Sequence, residues 1–318
     1  MLKNLLPDRF VLLLLATIAV ASVLPARGAA AVVVHSLVNV AIAGLFFLHG
    51  AKLSRESVIA GVTHWRLQLC VLASTWLLFP LLGLLLRPLL EPWTTPALYA
   101  GVLYLCLVPS TVQSSIVLTS MARGNVPAAV CAASLSNLLG VFATPVLAAL
   151  LLGSVHGGLS WSVAGSIVSL LLVPFVLGQF AQRWVAAPVR RYTALVGVLD
   201  KGMLMLIVYA AFSASVRAGL WQHTSAGVLA VLFGVCVLFL AVALAFNRLV
   251  ARGLGFARED EVVMVFCGSK KSLASGIPIA QVLFSSAALG PLVLPLMIFH
   301  PLQLMVCTFI ARHYGRRP

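Results

Sequence analysis

Phe266-Cys267-Gly268-Ser269-Lys270-Lys271-Ser272-Leu273-Ala274-Ser275-Gly276-Ile277-Pro278 sets two adjacent lysines in the middle of an apolar run over 260–283. A helix of that length crosses a hydrocarbon core of about 30 Å. A lysine at its centre costs at least about 2.5–3.5 kcal/mol on insertion scales. The run is therefore long enough to span a bilayer and is interrupted at mid-depth, by Gly268 to Ser272 and then by Ser275-Gly276-Ile277-Pro278. Opened backbone there has to be buried in protein or line a watery cavity, because lipid satisfies no hydrogen bond. A second run, 97–122, reads the same way, interrupted by Pro109-Ser110-Thr111-Val112-Gln113-Ser114-Ser115.

The rest of the chain suits this setting. Of 318 residues, 62% are hydrophobic and 9% charged. Soluble domains carry about 25% charged residues, so a water-soluble globule is excluded, as are disordered and disulfide-stapled classes. Charge-poor runs recur at 8–25, 30–50, 67–90, 97–122, 126–153, 159–183, 195–218, 224–248, 260–283 and 288–311. Ten spans predict an all-α polytopic membrane protein. Lys3 and Arg9 before the apolar run 10–20 imitate a signal peptide, but the continuation into further spans reads as a retained first helix.

The net charge of +14 comes from 21 basic against 7 acidic residues. With ten spans, 16 of the basic residues fall on the side of the termini, while Arg27, Arg87 and Arg217 fall opposite. This bias predicts cytoplasmic termini and accounts for the charge without nucleic acid. Lys270 and Lys271 belong to neither side. Residues 1–153 and 158–318 each hold five spans, and an odd number forces the second half to insert upside down. Paired breaks at corresponding positions of inverted repeats mark the binding site of a secondary transporter.

Half-helix N-termini at such breaks offer N–H groups to an anion, and C-terminal carbonyls face a cation. Candidate binding residues are Ser110, Thr111, Gln113, Ser114 and Ser115 in the first break, and Gly268, Ser269, Lys270, Lys271 and Ser272 in the second. The fifth span offers Ser134, Ser136 and Asn137, of which Ser134 and Asn137, three apart on one face, join them; the third offers Gln68, Ser74 and Thr75, with Gln68 as a further member. No mid-span Asp or Glu opposes the lysines. Either the substrate is anionic or one lysine is neutral part of the time, since burial disfavours its charged form. The six cysteines form no CxxC and read as small hydrophobes. The seven histidines form no HxxxH or HExxH pair, and His49 and His300 lie nearest the apolar runs.

At these residues the chain resembles the bile acid:sodium symporter superfamily, and most closely its SBF-like bacterial branch, related to the seventh member of the solute carrier ten group. The resemblance rests on Leu45-Phe46-Phe47-Leu48-His49-Gly50-Ala51-Lys52-Leu53, on Val108 to Asn125, and on Phe266 to Pro278. It implies a core domain of helices three to five and eight to ten and a panel domain of helices one, two, six and seven. It also implies that helices four and nine cross at their breaks. In sodium-coupled members the ligands come from both breaks and the fifth helix. Here Ser115 remains as a residual sodium ligand, but the other positions fall at Ile116, near Ala129 and Ala133, at Phe266 or Cys267, and at Lys270. The set is depleted, and a lysine fills the cation's place, Lys271 fitting the branch pattern better.

The expectation is a secondary transporter in the bacterial cytoplasmic membrane, moving a small organic anion without the usual two-sodium site. It needs no cofactor, and its coupling ion is H+ or Na+. The alternatives are a sodium-coupled, bile acid-like symporter and a non-transporting regulatory protein. An enzyme would need a mid-membrane acid/base pair or metal ligands, and the spans carry neither. Oligomeric state leaves no mark on the sequence.

Overall fold

The computed structural model describes residues 9–52, 64–156, 165–222, 224–286 and 288–316. Lys3, Arg55 and Arg317 of the topological count, the carboxylates Asp8 and Glu56, and His223 lie outside them, as does the start of the sixth expected span.

Among the described residues the regular structure is helical. The helices are α1 (Arg9–Val23), α2 (Gly28–Lys52), α3 (Trp65–Leu85), α4 (Pro96–Leu107), α5 (Gln113–Met121), α6 (Val126–His156), α7 (Val173–Arg191), α8 (Thr193–Arg217), α9 (Ala226–Gly253), α10 (Arg258–Gly268), α11 (Leu273–Leu283) and α12 (Leu289–Gly315). Eight stretches of the described residues are long and apolar enough to cross a membrane, α10 and α11 counting as one, beside shorter apolar helices at Leu12–Val23 and Pro96–Leu107. Over Arg258–Leu283, 94% of the apolar window is buried in protein, against 17–50% in the other seven. The lysine-bearing break is therefore kept from lipid, as its open backbone requires.

Local chemistry sets the ends. Thr95 caps α4, its Oγ1 accepting from Leu98 N at 3.3 Å, with Pro96 in the first turn. Pro109 stops it: proline has no N–H and drives the preceding residue extended, and Val108 sits at φ −80°, ψ 151°. Glu259, Asp260 and Glu261 in the first turn of α10 oppose the positive end of its dipole. Within α3, Ser74–Leu78 form a π turn in which Phe79 N–H reaches back to Ser74 O.

Two details differ from the sequence expectation. The first break is confined to 108–112, so Gln113, Ser114 and Ser115 occupy the first turn of α5 rather than open chain. The second covers 269–272 alone. Ser272 Oγ accepts from Ser275 N at 3.2 Å and starts α11 at once, leaving Gly276 and Pro278 inside the helix.

The chain divides into two compact units. One comprises 1–54, 156–224 and 277–291 and holds α1, α2, α7 and α8. Here α2 and α7 touch backbone to backbone at Gly50 and Gly178, and α8 packs on α1 and α2. Lys52 pairs with Asp200, Tyr209 OH donates to Leu24 O at 2.9 Å, and Arg217 donates to Ala26 O. The other unit comprises 55–155, 225–276 and 292–318. Its apolar centre includes Leu67 and Val71 of α3, Ala128, Ala129 and Ala132 of α6, and Val263, Met264 and Cys267 of α10. Phe79 packs edge-on to Phe239 and Phe299. Both breaks and both lysines belong to this second unit.

Candidate functional site

The two breaks are bonded to one another. Ser272 N donates to Pro109 O at 2.7 Å, and Ser110 Oγ donates to Cys267 O at 2.6 Å. A helix leaves its last four carbonyls without an intrahelical partner. At the end of α10 those four are each met by a serine. Ser269 Oγ donates to Val265 O (2.5 Å), Ser115 Oγ to Phe266 O (3.3 Å), Ser110 Oγ to Cys267 O, and Ser74 Oγ to Gly268 O (2.9 Å). Asn247 Nδ2 in turn donates to Ser74 Oγ at 2.8 Å.

The end of α4 is met differently. Thr144 Oγ1 donates to Leu107 O at 2.9 Å. The neighbouring carbonyls go to an ammonium: Lys271 Nζ donates to Cys106 O at 2.7 Å and to Val108 O at 3.0 Å. Its third bond goes to Thr75 O at 2.9 Å. The π turn explains why that oxygen is free. Phe79 N–H is taken by Ser74 O, and the next residue, Pro80, has no N–H to offer. The ammonium also lies 4.2 Å from the centre of the Phe79 ring. A fully buried amine thus sits at the negative end of a half-helix with three carbonyls around it, one for each proton of its ammonium form. The backbone of Lys271 is clamped by one amide, since Gln303 Oε1 accepts from its N–H and Gln303 Nε2 donates to its carbonyl, each at 2.8 Å.

Asn137 of α6 joins the first break to the first turn of α11. Its Nδ2 donates to Ser110 O at 2.6 Å, and its Oδ1 accepts from Ser275 Oγ at 2.6 Å. Ser136 Oγ, beside it, accepts from Ser110 N at 3.0 Å. Asn137→Ala is expected to cost about 2 kcal/mol, one net hydrogen bond to the first break and one to α11. Thermal unfolding in detergent checks this, and an unchanged melting temperature would contradict it.

Of the residues expected from sequence, Ser110, Ser115, Asn137, Gly268, Ser269, Lys271 and Ser272 are brought into this network. Thr111 Oγ1 lies 2.7 Å from Ser114 Oγ and 3.1 Å from Ser115 Oγ, at the first turn of α5. Gln113 is exposed and Ser114 half-buried there. The half-buried Ser134 enters none of these bonds; the α6 side chains that reach the first break are those of Ser136 and Asn137. Gln68 is buried in α3 with neither amide atom bonded among the described residues. Ser275, read as part of the second interruption but not as a binding residue, joins the network, and Asn247, Thr144 and Gln303 complete it and were missed. Each of these three is a scattered polar residue in an apolar helix, a pattern that more often marks ordinary helix packing.

Residues 8–316 match the model of the family described as the SBF-like CPA transporter family. Among similar curated proteins, "Uncharacterized protein PA2026" of Pseudomonas aeruginosa is 54% identical over 313 residues, 98% of this chain and 94% of its own. "Putative symporter YfeH" of Escherichia coli is 48% identical over 98% of this chain and 93% of its own length. "Sodium/bile acid cotransporter 7" of Rattus norvegicus is 28% identical over 84% of this chain and 79% of its own.

Proposed function

The chain belongs to the SBF-like CPA transporter family and is a multi-pass membrane transporter, and on that premise we propose that it moves a small organic anion by alternating access without a bound sodium pair. The observation that carries the second part is Lys271. Its ammonium occupies the C-terminal end of α4 with three carbonyl partners, where a dehydrated cation would otherwise find its oxygens. A free Na+ beside it would be repelled. The name of the rat relative favours sodium coupling as the second reading.

We assign substrate contact to the first turn of α5, where Thr111, Gln113 and Ser114 surround N–H groups that no side chain caps, and where Gln113 is exposed. Ser110, Ser115, Asn137, Gly268, Ser269 and Ser272 hold that turn against α10 and α11. The division into two compact units supports a core holding the breaks and a panel formed by α1, α2, α7 and α8. Ten spans in two inverted repeats, cytoplasmic termini and the bacterial inner membrane complete the reading, supported by the matched breaks and the basic bias.

The test is counterflow in proteoliposomes, with tritiated taurocholate as first probe and a panel of unlabelled carboxylates, sulfonates and phosphates inside. Uptake that persists when choline replaces sodium is expected. Strict dependence on a sodium gradient transfers the assignment to the sodium-coupled reading. Absence of counterflow with every member of the panel contradicts organic-anion transport.

A further inference from the structure

Lys270 and Lys271 are adjacent and equally buried, yet their amines have opposite surroundings. Lys271 Nζ has three carbonyls and an aromatic face. Lys270 Nζ has no hydrogen-bond partner among the described residues. Successive residues point in different directions, so one lysine turns toward α4 and the other toward α12. The titratable groups acting on Lys270 are two thiols, Cys307 of α12 and Cys267 of α10. The carboxylates of α10, Glu259, Asp260 and Glu261, are at its far end. Glu261 is held by Arg248, Arg252 and Tyr314, and Asp260 by Asn125.

A buried ammonium with no acceptor carries a desolvation cost of several kcal/mol that nothing offsets. An amine avoids most of it. A charge arriving from outside would offset it too, and a proton is the one ligand that reaches a closed site without a cavity. A lysine at this position, next to one that is fully satisfied, makes physical sense where its charge changes during the working cycle.

We infer that Lys270 is the proton-exchanging group of the transport cycle and that Lys271 keeps its charge throughout. This deepens the transport reading and rests on it for its purpose, though not for its test. When the break faces water, the Lys270 Nζ lone pair takes a proton from hydronium, releasing water. The new charge is matched by the anion that binds, and both leave on the other side, where the proton returns to water. One proton then accompanies each anion carried.

The chain has five lysines, Lys3, Lys52, Lys201, Lys270 and Lys271, few enough to resolve by solid-state NMR with isotopic label at Nζ in liposomes. Titration from mildly acidic to mildly alkaline pH is expected to move one resonance between the ammonium and amine positions. That resonance should be absent from Lys270→Met and from Lys270→Gln, the second variant serving if the first does not fold. Persistence of the titrating resonance in either variant overturns the inference, as does a wild type in which no lysine titrates. A titrating Lys270 together with failed counterflow would sink the transport reading and leave the proton site standing.

Discussion

Lys271→Met is expected to destabilise the second unit severely, while Lys270→Met leaves it standing. Methionine preserves most of the side-chain volume, so the effect isolates the ammonium. Its loss strands Thr75 O, Cys106 O and Val108 O in a site that is fully buried. Each unsatisfied buried group costs about 1–3 kcal/mol. Relief of the charge's own desolvation works the other way, but breaking a buried charged contact from one side still nets about 3–5 kcal/mol of destabilisation. That is a large part of a typical folding free energy of about 5–15 kcal/mol. Arginine is not expected to rescue, because a planar fork cannot converge on three carbonyls as a point donor does. Fluorescence-detected size exclusion after a temperature ramp reads the result. The monodisperse peak should vanish for Lys271→Met at temperatures where wild type and Lys270→Met survive. A Lys271→Met profile that overlays wild type would refute the carbonyl accounting.

The second large effect is expected in the other unit, at the crossing of α2 and α7. A Cβ added at Gly50 would collide with the carbonyl oxygen of Phe175, and one at Gly178 with that of Phe47. Both obstacles are backbone, so neither is relieved by a rotamer change, and the helices have to separate. Within a membrane, helix association relies on such close approach, with no hydrophobic drive between apolar surfaces to compensate. Gly50→Ala and Gly178→Ala are each expected to destabilise by about 1–3 kcal/mol. The double variant should fall short of the sum, because separation for one methyl makes room for the other. Gly197→Ala and Gly202→Ala serve as controls, since nothing lies within 4 Å of either added Cβ. Melting curves on the purified protein test this, and near-equal curves for all four variants would contradict the packing described.

Most of the candidate site was legible because it violates the composition around it. Two lysines and a run of serines inside otherwise apolar segments stand out against a chain that is 9% charged. The breaks were legible for the same reason, together with Pro109. Their edges were less so, because whether a serine lies in open chain or in the first turn of a helix depends on which N–H it caps. Ser272 illustrates this: its hydroxyl accepts from Ser275 N and begins α11 at Leu273, ahead of the Ser275-Gly276-Ile277-Pro278 stretch that composition reads as part of the break. Choosing Ser134 from its spacing to Asn137 identified a shared face, of which only Asn137 reaches the first break and α11. Ser136 was the serine so placed.

By itself the amino-acid sequence determined the membrane class, the segments available to span, and the two places where regular helix must fail. These follow from hydrophobicity, chain length and the missing N–H of proline, all of which act locally. Only tertiary structure decided the division of labour between Lys270 and Lys271. The two are chemically identical and adjacent, so no local property separates them. The difference lies in what is brought to each: Thr75 O from a π turn nearly two hundred residues away in the chain and the frayed end of α4 to Lys271, and to Lys270 the two thiols. An electrostatic role is a property of the surroundings, and the surroundings are assembled only by folding.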